Sequence, residues 1–358
     1  MSPGPSETPP SWQVSVPDSG VGFDCRPGDT LLMAGLRAGW NLSYECASGG
    51  CGMCKVTLVS GEVDGLWPAA TGLTARDHRK GDRVLLCQSR PRGPCTIRPT
   101  GPIDRAPLAV PTPSRRPARV VAHENLTPDT ARLVLDCGRP VPYLAGQFVL
   151  VELPDGTRRA YSMAREPAAA AVGQIELLVR DKPGGAASGW LFGRLAVGDH
   201  LVVEGPYGRA YAQSPADRPV LCVGGGSGVG PVLAIAEHSL TETPQRPVSV
   251  FVGARSEQDV VLVERFTALH DKGADIVVAV ESSAVESAVE NGDSRIHRPW
   301  GPSRTGRVLD VLEAAHPDLT GHDLYAAGPT GMIDALLATF VRTGRAAADR
   351  VFYDRFVA

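Results

Sequence analysis

Apolar and polar residues alternate from Trp12 onward. The runs "WQVSV" and "VGFDC" flank the turn "PDSG" and predict a β-hairpin. "DTLLMAGLRAG" follows with helical spacing, Asp29 or Thr30 placed to cap it and Gly39 placed to end it. "CKVTLVSG" and "RVLLCQSR" predict further strands before the pattern stops at a stretch with six prolines, Pro99 to Pro117, which reads as a semi-extended linker. Beyond it, "ARVVAHENL", "ARLVLDC", "QFVLVELP" and "IELLVR" are alternating or β-branched runs separated by turn residues, which predict an antiparallel barrel or sandwich. From Arg218 the period changes. "PVLCVGGG", "PVSVFVGA", "ADIVVAVES" and "HDLYAAGP" are each followed by a helical stretch, the pattern of an open parallel α/β sheet. The segment Glu281 to Arg295 interrupts that alternation and reads as a surface insertion.

The chain is therefore expected to hold a disordered tail (1–11), a first domain (12–98), the linker (99–117), a barrel domain (118–217) and a parallel α/β domain (218–358). Its 358 residues suffice for separate cores, and a net charge of −3 with interspersed signs gives no footprint for nucleic acid or an anionic membrane. The Pro/Ser-rich start has no apolar centre and is not a signal peptide. The uncharged run Val220 to Ala236 is short for a membrane span and carries five glycines and a proline. A cytoplasmic protein without membrane partners is expected.

Eight cysteines without a secretory signal argue against a disulfide framework. Cys25, Cys137 and Cys222 read as plain buried thiols, and Cys95 suggests no role. The remaining four differ. Cys46, Cys51 and Cys54 are spaced C-x4-C-x2-C in the loop "CASGGCGMC", with Cys87 well downstream. Structural zinc sites usually take their ligands from two short knuckles, so one tight loop plus a distant fourth thiol favours a 2Fe–2S cluster, with zinc the alternative. Small residues between the thiols suit a loop that must wrap bulky sulfides closely. "YECASGGCGMCKVTLVSGEV" and "LLCQSRP" closely resemble the plant-type ferredoxin domain, a β-grasp fold, and the resemblance makes these four cysteines the cluster ligands.

Two further segments suit a dinucleotide-like cofactor. "RRAYSMA" carries Arg159, Tyr161 and Ser162 on a predicted strand. In "KPGGAASGWL", small residues run into a helical turn whose free N–H groups suit a diphosphate. Together with "AGQFV" and "GPYG" these resemble the ferredoxin–NADP reductase superfamily. The resemblance implies FAD, with FMN the alternative. Tyr161 would stack on the flavin ring and Ser162 would lie near its N5. Arg159 and the segment Gly184, Gly185, Ala186, Ala187 and Ser188 would hold the diphosphate. "GGGSGVGP", with Gly224, Gly225, Gly226, Ser227 and Gly228, lies where a strand turns into a helix. "AAGPTGM", with Ala327, Gly328 and Pro329, ends a later strand. Alone, the glycine loop could be only a tight turn, but the two loops together resemble the nicotinamide-binding loops of the same superfamily. Ala327 departs from that pattern, which has a cysteine here, and Ser227 is a candidate to compensate. "YDRFVA" also resembles the family's carboxyl terminus, with Phe356 near the flavin. In "VGARSEQD", Arg255 and Ser256 favour a 2′-phosphate while Glu257 and Asp259 favour a ribose diol; similar segments in NADH-using reductases make NADH the expected reductant.

The order ferredoxin, flavin, nicotinamide resembles the reductase component of multicomponent, aromatic-ring-hydroxylating oxygenases. It implies electron flow from NADH through FAD to the cluster, then to a Rieske or diiron oxygenase component or its ferredoxin. A non-catalytic redox sensor, a flavin reductase and an NADPH-dependent reductase for a haem monooxygenase are the alternatives.

Overall fold

The computed structural model describes residues 11–168, 173–213, 217–281 and 298–357. The expected tail up to residue 10 and the insertion from residue 282 to 295 lie outside the described residues. The chain divides into two compact units, between Arg115 and Arg116.

In the first unit the predicted hairpin forms, Trp12–Ser15 pairing antiparallel with Gly22–Cys25. Cys95–Arg98 adds to it in parallel, Lys55–Ser60 adds antiparallel to Cys95–Arg98, and Arg83–Leu85 completes a five-stranded sheet. The helix Leu31–Arg37 buries Leu31, Leu32, Met33 and Ala34. Its cap is Thr30, whose hydroxyl accepts from the Met33 N–H; Asp29 instead accepts from the Arg26 N–H and pairs with Arg37. A second helix, Ala75–Lys80, goes unpredicted by apolar periodicity because none of its residues is buried. A reciprocal Thr74/Asp77 capping box and left-handed Gly81 define it instead.

The expected linker is shorter than the proline pattern suggests. Asp104–Arg105 pairs antiparallel with Trp40–Asn41, and the Arg105 guanidinium lies 3.7 Å from the centre of the Trp40 ring. The strand Ser114–Thr127 then begins before the last of the six prolines. Prolines limit sheet pairing only at their own positions, so Asp104 and Arg105 remain free to bond the first unit.

The second unit contains two sheets. One is antiparallel and six-stranded, in the order Arg158–Ser162, Phe148–Glu152, His200–Tyr207, Ser114–Thr127, Thr130–Asp136, Gln174–Arg180. It rolls until its two edges meet at the single bridge Met163↔Leu177, a barrel that is barely closed. The other is parallel: Arg304–Thr305, Asp275–Val280, Val248–Ala254, Val220–Gly225, Asp323–Pro329, Val351–Phe356. Its central strand shows why both faces are covered. Val220 and Cys222 face the helices Val229–Glu242 and Val263–Asp271, while Leu221 and Val223 face Val308–Ala315 and Thr330–Leu336. The direction of winding reverses between Val220–Gly225 and Asp323–Pro329, which opens a crevice at their carboxyl ends.

The barrel and the parallel sheet share a core in which Ala145, Ala164 and Leu178 pack with the helix Val229–Glu242. Arg265 fastens the join, donating to the Ala164 carbonyl at 2.6 Å and to both oxygens of Glu237 at 2.7 Å. Cys25, Cys95, Cys137 and Cys222 are all buried. Burial pushes the Cys25 thiol up to about 12 and Cys137 to about 11, so these remain inert thiols.

On the sheet face opposite the barrel core, Arg158 donates to both oxygens of Glu204 at 3.1 Å, and the Tyr207 hydroxyl donates to Glu204 at 2.6 Å. Both charged side chains are only 4% exposed. Glu204→Ala takes from the buried guanidinium the carboxylate to which it donates twice and is expected to cost about 3–5 kcal/mol, whereas an Arg158→Met/Glu204→Leu pair should cost far less. Urea unfolding of the second unit, followed by Trp190 fluorescence, checks this; equal losses in the two variants would show that the ion pair is not the source.

Candidate functional site

In the first unit the thiols gather two by two. The Cys51 N–H donates to Cys46 Sγ at 3.4 Å, and Cys54 Sγ lies 3.3 Å from Cys87 Sγ. Cys46, Cys54 and Cys87 are buried, and Cys51 stands at the rim. Hydrogen bonding from Cys51 brings the Cys46 thiol down to about 5, and that from Cys87 lowers Cys54; the partner of each is pushed up in turn. Three thiols on one tight loop and Cys87 on the short turn Leu86–Gln88, gathered as two pairs, fit a two-iron cluster. The loop is held closed from above, where the Gly72 N–H donates to the Gly49 carbonyl at 2.9 Å. Gly52 has φ +76°, and a Cβ there would lie 2.7 Å from the Gly72 carbonyl oxygen, so only glycine fits.

In the second unit, alternation along Arg158–Ser162 separates the two adjacent arginines. Arg158 is the buried partner of Glu204, while Arg159 shares a half-buried face with Tyr161. Burial raises the Tyr161 phenol well above its usual range, keeping it neutral. The other predicted flavin segment opens the helix Ala186–Gly193, which follows Gln174–Arg180 at the opposite edge of the rolled sheet. The closing bridge makes those edges neighbours. Of the expected diphosphate amides, that of Gly185 is already engaged by the Lys182 carbonyl at 2.8 Å. The Ser188 hydroxyl accepts from the Lys182 N–H at 3.0 Å. Ala186, Ala187 and Ser188 form the first helical turn, whose N–H groups have no partner within the helix. Gly184, at φ +74°, makes the turn.

Ser162 ends its strand at the junction of the two halves, where its hydroxyl donates to Asp354 Oδ2 at 2.5 Å. Asp354 lies opposite Ala327 in the parallel register, and Ala327 lies opposite Gly224 on its other side. Phe356 is opposite Pro329, its carbonyl accepting from the Thr330 hydroxyl at 3.2 Å. Gly228 approaches so closely that a Cβ would fall 2.0 Å from the Ala327 carbonyl oxygen. Ser227 is half-buried just before it. Ser162, Ala327, Gly224, Gly228 and Phe356 are thus brought to one junction. Asp354, which the sequence reading misses, joins them; only its place two residues before Phe356 hinted at it.

Beside this junction the crevice widens into a cleft of about 540 Å³ whose walls include Gly225, Gly226, Pro329 and Arg255. Arg180 and Asp129, both from the barrel, are further lining residues absent from the sequence reading. Arg180 lies within reach of the glycine loop, 3.1 Å from where a Cβ of Gly226 would be. Open glycine N–H groups, a guanidinium and a helix start at the carboxyl end of a parallel sheet are suited to a dinucleotide diphosphate. Among the described residues no helix is long and apolar enough to cross a membrane.

Comparison with known proteins agrees with this division of labour. Residues 14–92 match the family model for a 2Fe-2S iron-sulfur cluster binding domain, 117–211 that for an oxidoreductase FAD-binding domain, and 222–337 that for an oxidoreductase NAD-binding domain. The ferredoxin–NAD(+) reductase component of the alkene monooxygenase system of Xanthobacter autotrophicus is 42% identical over 340 residues, covering 95% of this chain and 99% of the relative. The ferredoxin–NAD(P)(+) reductase component of the naphthalene 1,2-dioxygenase/salicylate 5-hydroxylase systems of Ralstonia sp. is 33% identical, covering 90% of this chain and 92% of the relative. The solved ferredoxin reductase in carbazole 1,9a-dioxygenase superposes with a TM-score of 0.81 at 32% identity, covering 97% and 98% of the two chains. The chain belongs to the family of iron–sulfur flavoprotein ferredoxin–NAD(P)+ reductases that serve as components of oxygenase systems.

Proposed function

We propose that the chain takes hydride from NADH at the Ser162/Asp354/Ala327 junction and passes the electrons to a cluster held by Cys46, Cys51, Cys54 and Cys87. From there they leave, in the cytoplasm, to a Rieske or diiron oxygenase component, directly or through its ferredoxin. A flavin bound at the barrel edge would accept a pair of electrons as hydride and release them singly, which neither nicotinamide nor cluster does. The observation that carries this reading is the meeting of the barrel strand end with both carboxyl-end loops of the parallel sheet, which brings a flavin site against a dinucleotide cleft.

In this reading Arg159 and the first turn of Ala186–Gly193 hold the FAD diphosphate, and Tyr161 packs on the flavin ring. Ser162, oriented by Asp354, presents its hydroxyl at the reacting edge. Gly224 to Gly228 and Ala327 to Pro329 give the nicotinamide a close backbone approach, with Phe356 beside it. The small Ala327 side chain leaves orientation of the nicotinamide to its neighbours, Ser227 among them. NADH is the reductant because Asp259 already holds both groups suited to a 2′-phosphate. It accepts from Arg255 Nη2 at 2.8 Å and from the Ser256 hydroxyl at 3.0 Å.

Three experiments test the proposal. Protein purified under iron-replete conditions should contain about two iron and two acid-labile sulfides per chain; stoichiometric zinc would overturn the cluster. Ser162→Ala should retain FAD but slow flavin reduction by NADH about 10- to 100-fold in stopped flow. An unchanged rate would remove Ser162 from the reacting edge. Cys51→Ser should still reduce ferricyanide with NADH, because flavin can deliver electrons to it directly, while cytochrome c reduction and oxygenase support collapse. Full oxygenase support by that variant would mean that electrons do not leave through the cluster.

A further inference from the structure

Asp129 occupies the turn between Ser114–Thr127 and Thr130–Asp136 of the barrel, yet its carboxylate lines the cleft at the edge of the parallel sheet. Its Oδ1 accepts from the hydroxyls of Thr127 and Thr130, both at 3.1 Å, and these two bonds fix its orientation. Its Oδ2 accepts from Arg180 Nε at 3.1 Å and from Arg255 Nη2 at 2.8 Å. Arg255 is therefore clamped between Asp129 on the barrel side and Asp259 on its own loop. Burial opposes ionisation of Asp129, but Arg180, the Thr127 hydroxyl and Arg255 outweigh it and hold the carboxyl below the usual range. The cleft wall carries three arginines against five carboxylates, a balance that disfavours additional negative charge.

We propose that Asp129, although it belongs to the flavin half, is a specificity-determining residue for the reductant. By committing Arg255 to a carboxylate clamp with Asp259, it denies a ribose 2′-phosphate its counter-charge and favours NADH over NADPH. This rests on the reading of the cleft as the dinucleotide site. A 2′-phosphate would have to displace one of the two carboxylates from Arg255 and then sit beside both. An uncharged diol has no such conflict and can donate hydrogen bonds to a carboxylate. Arg255 is more than half exposed, so each ion pair alone counts for little. The discrimination comes from two carboxylates acting on one guanidinium, and a several-fold effect is expected.

Steady-state ferricyanide reduction by the full, FAD-loaded chain reads kcat/KM for each dinucleotide. At low ionic strength Asp129→Asn should raise the NADPH/NADH ratio about three- to tenfold, through KM for NADPH rather than kcat. The gain should shrink in about 0.5 M NaCl and vanish when Arg255→Ala is added. On the unmutated chain, adenosine 2′,5′-bisphosphate should inhibit NADH oxidation no better than AMP, a test that needs no variant to fold. An unchanged ratio in flavin-replete Asp129→Asn, or inhibition by the bisphosphate tenfold tighter than by AMP, overturns the assignment. If the unmutated chain oxidises neither dinucleotide, the reading of the cleft itself fails and the assignment falls with it.

Discussion

The contact on which the second unit turns is between two stretches of backbone, Gly228 against the Ala327 carbonyl, where no Cβ could fit. It lets the loop that ends Val220–Gly225 lie directly on the loop that ends Asp323–Pro329, with Gly224 and Ala327 opposite one another in register. A side chain at residue 228 would wedge those loops apart and widen the crevice at the point where the sheet reverses direction. The barrel then closes on this fixed surface. Ser162 reaches Asp354, and Gly230 lies against Ala164, 2.7 Å from where a Cβ would sit. Small residues at this join serve approach distance, and polar ones serve orientation.

Much of this arrangement is legible in the sequence because burial writes itself as period. The parallel strands read clearly, since both of their faces are covered and almost every residue is apolar. Elements at the margins read poorly. Val351–Phe356 is an edge strand carrying Asp354 and Arg355, and these charged residues interrupt the apolar run by which a strand is recognised. Ala75–Lys80 buries nothing and shows only a cap signal. His200–Tyr207 shows in sequence only the resemblance at its "GPYG" ending, and Glu204, buried against Arg158 on the face opposite Leu201 and Val203, breaks its apolar run.

The site divides in the same way. Cysteine spacing exposes the four thiols because a cluster constrains residue type and separation together. Glycine loops expose the carboxyl ends of two strands. What sequence cannot show is which charged residue from one half faces the other. Asp129 sits in a turn where aspartate is common for local reasons, as its Thr127 and Thr130 bonds attest. Arg180 ends a strand and would pass as an ordinary exposed residue. The resemblance singles out Arg159 in "RR", but only the structure shows that its neighbour Arg158 is taken by Glu204.

The division of the chain into two units suits the two transfers of the proposed electron path. Hydride moves only between atoms already in near contact, and a displacement of about 1 Å can cost two orders of magnitude in rate. The flavin and nicotinamide halves accordingly share one core, and Arg265 ties a barrel carbonyl to a nicotinamide-side helix. Single electrons do not require the donor and acceptor groups to touch in that way. The unit that holds the four thiols keeps its own sheets and helices, and draws Asp104–Arg105 back to Trp40–Asn41. In the proposed path, the core shared by the barrel and the parallel sheet serves the step in which a nucleus moves with its electrons.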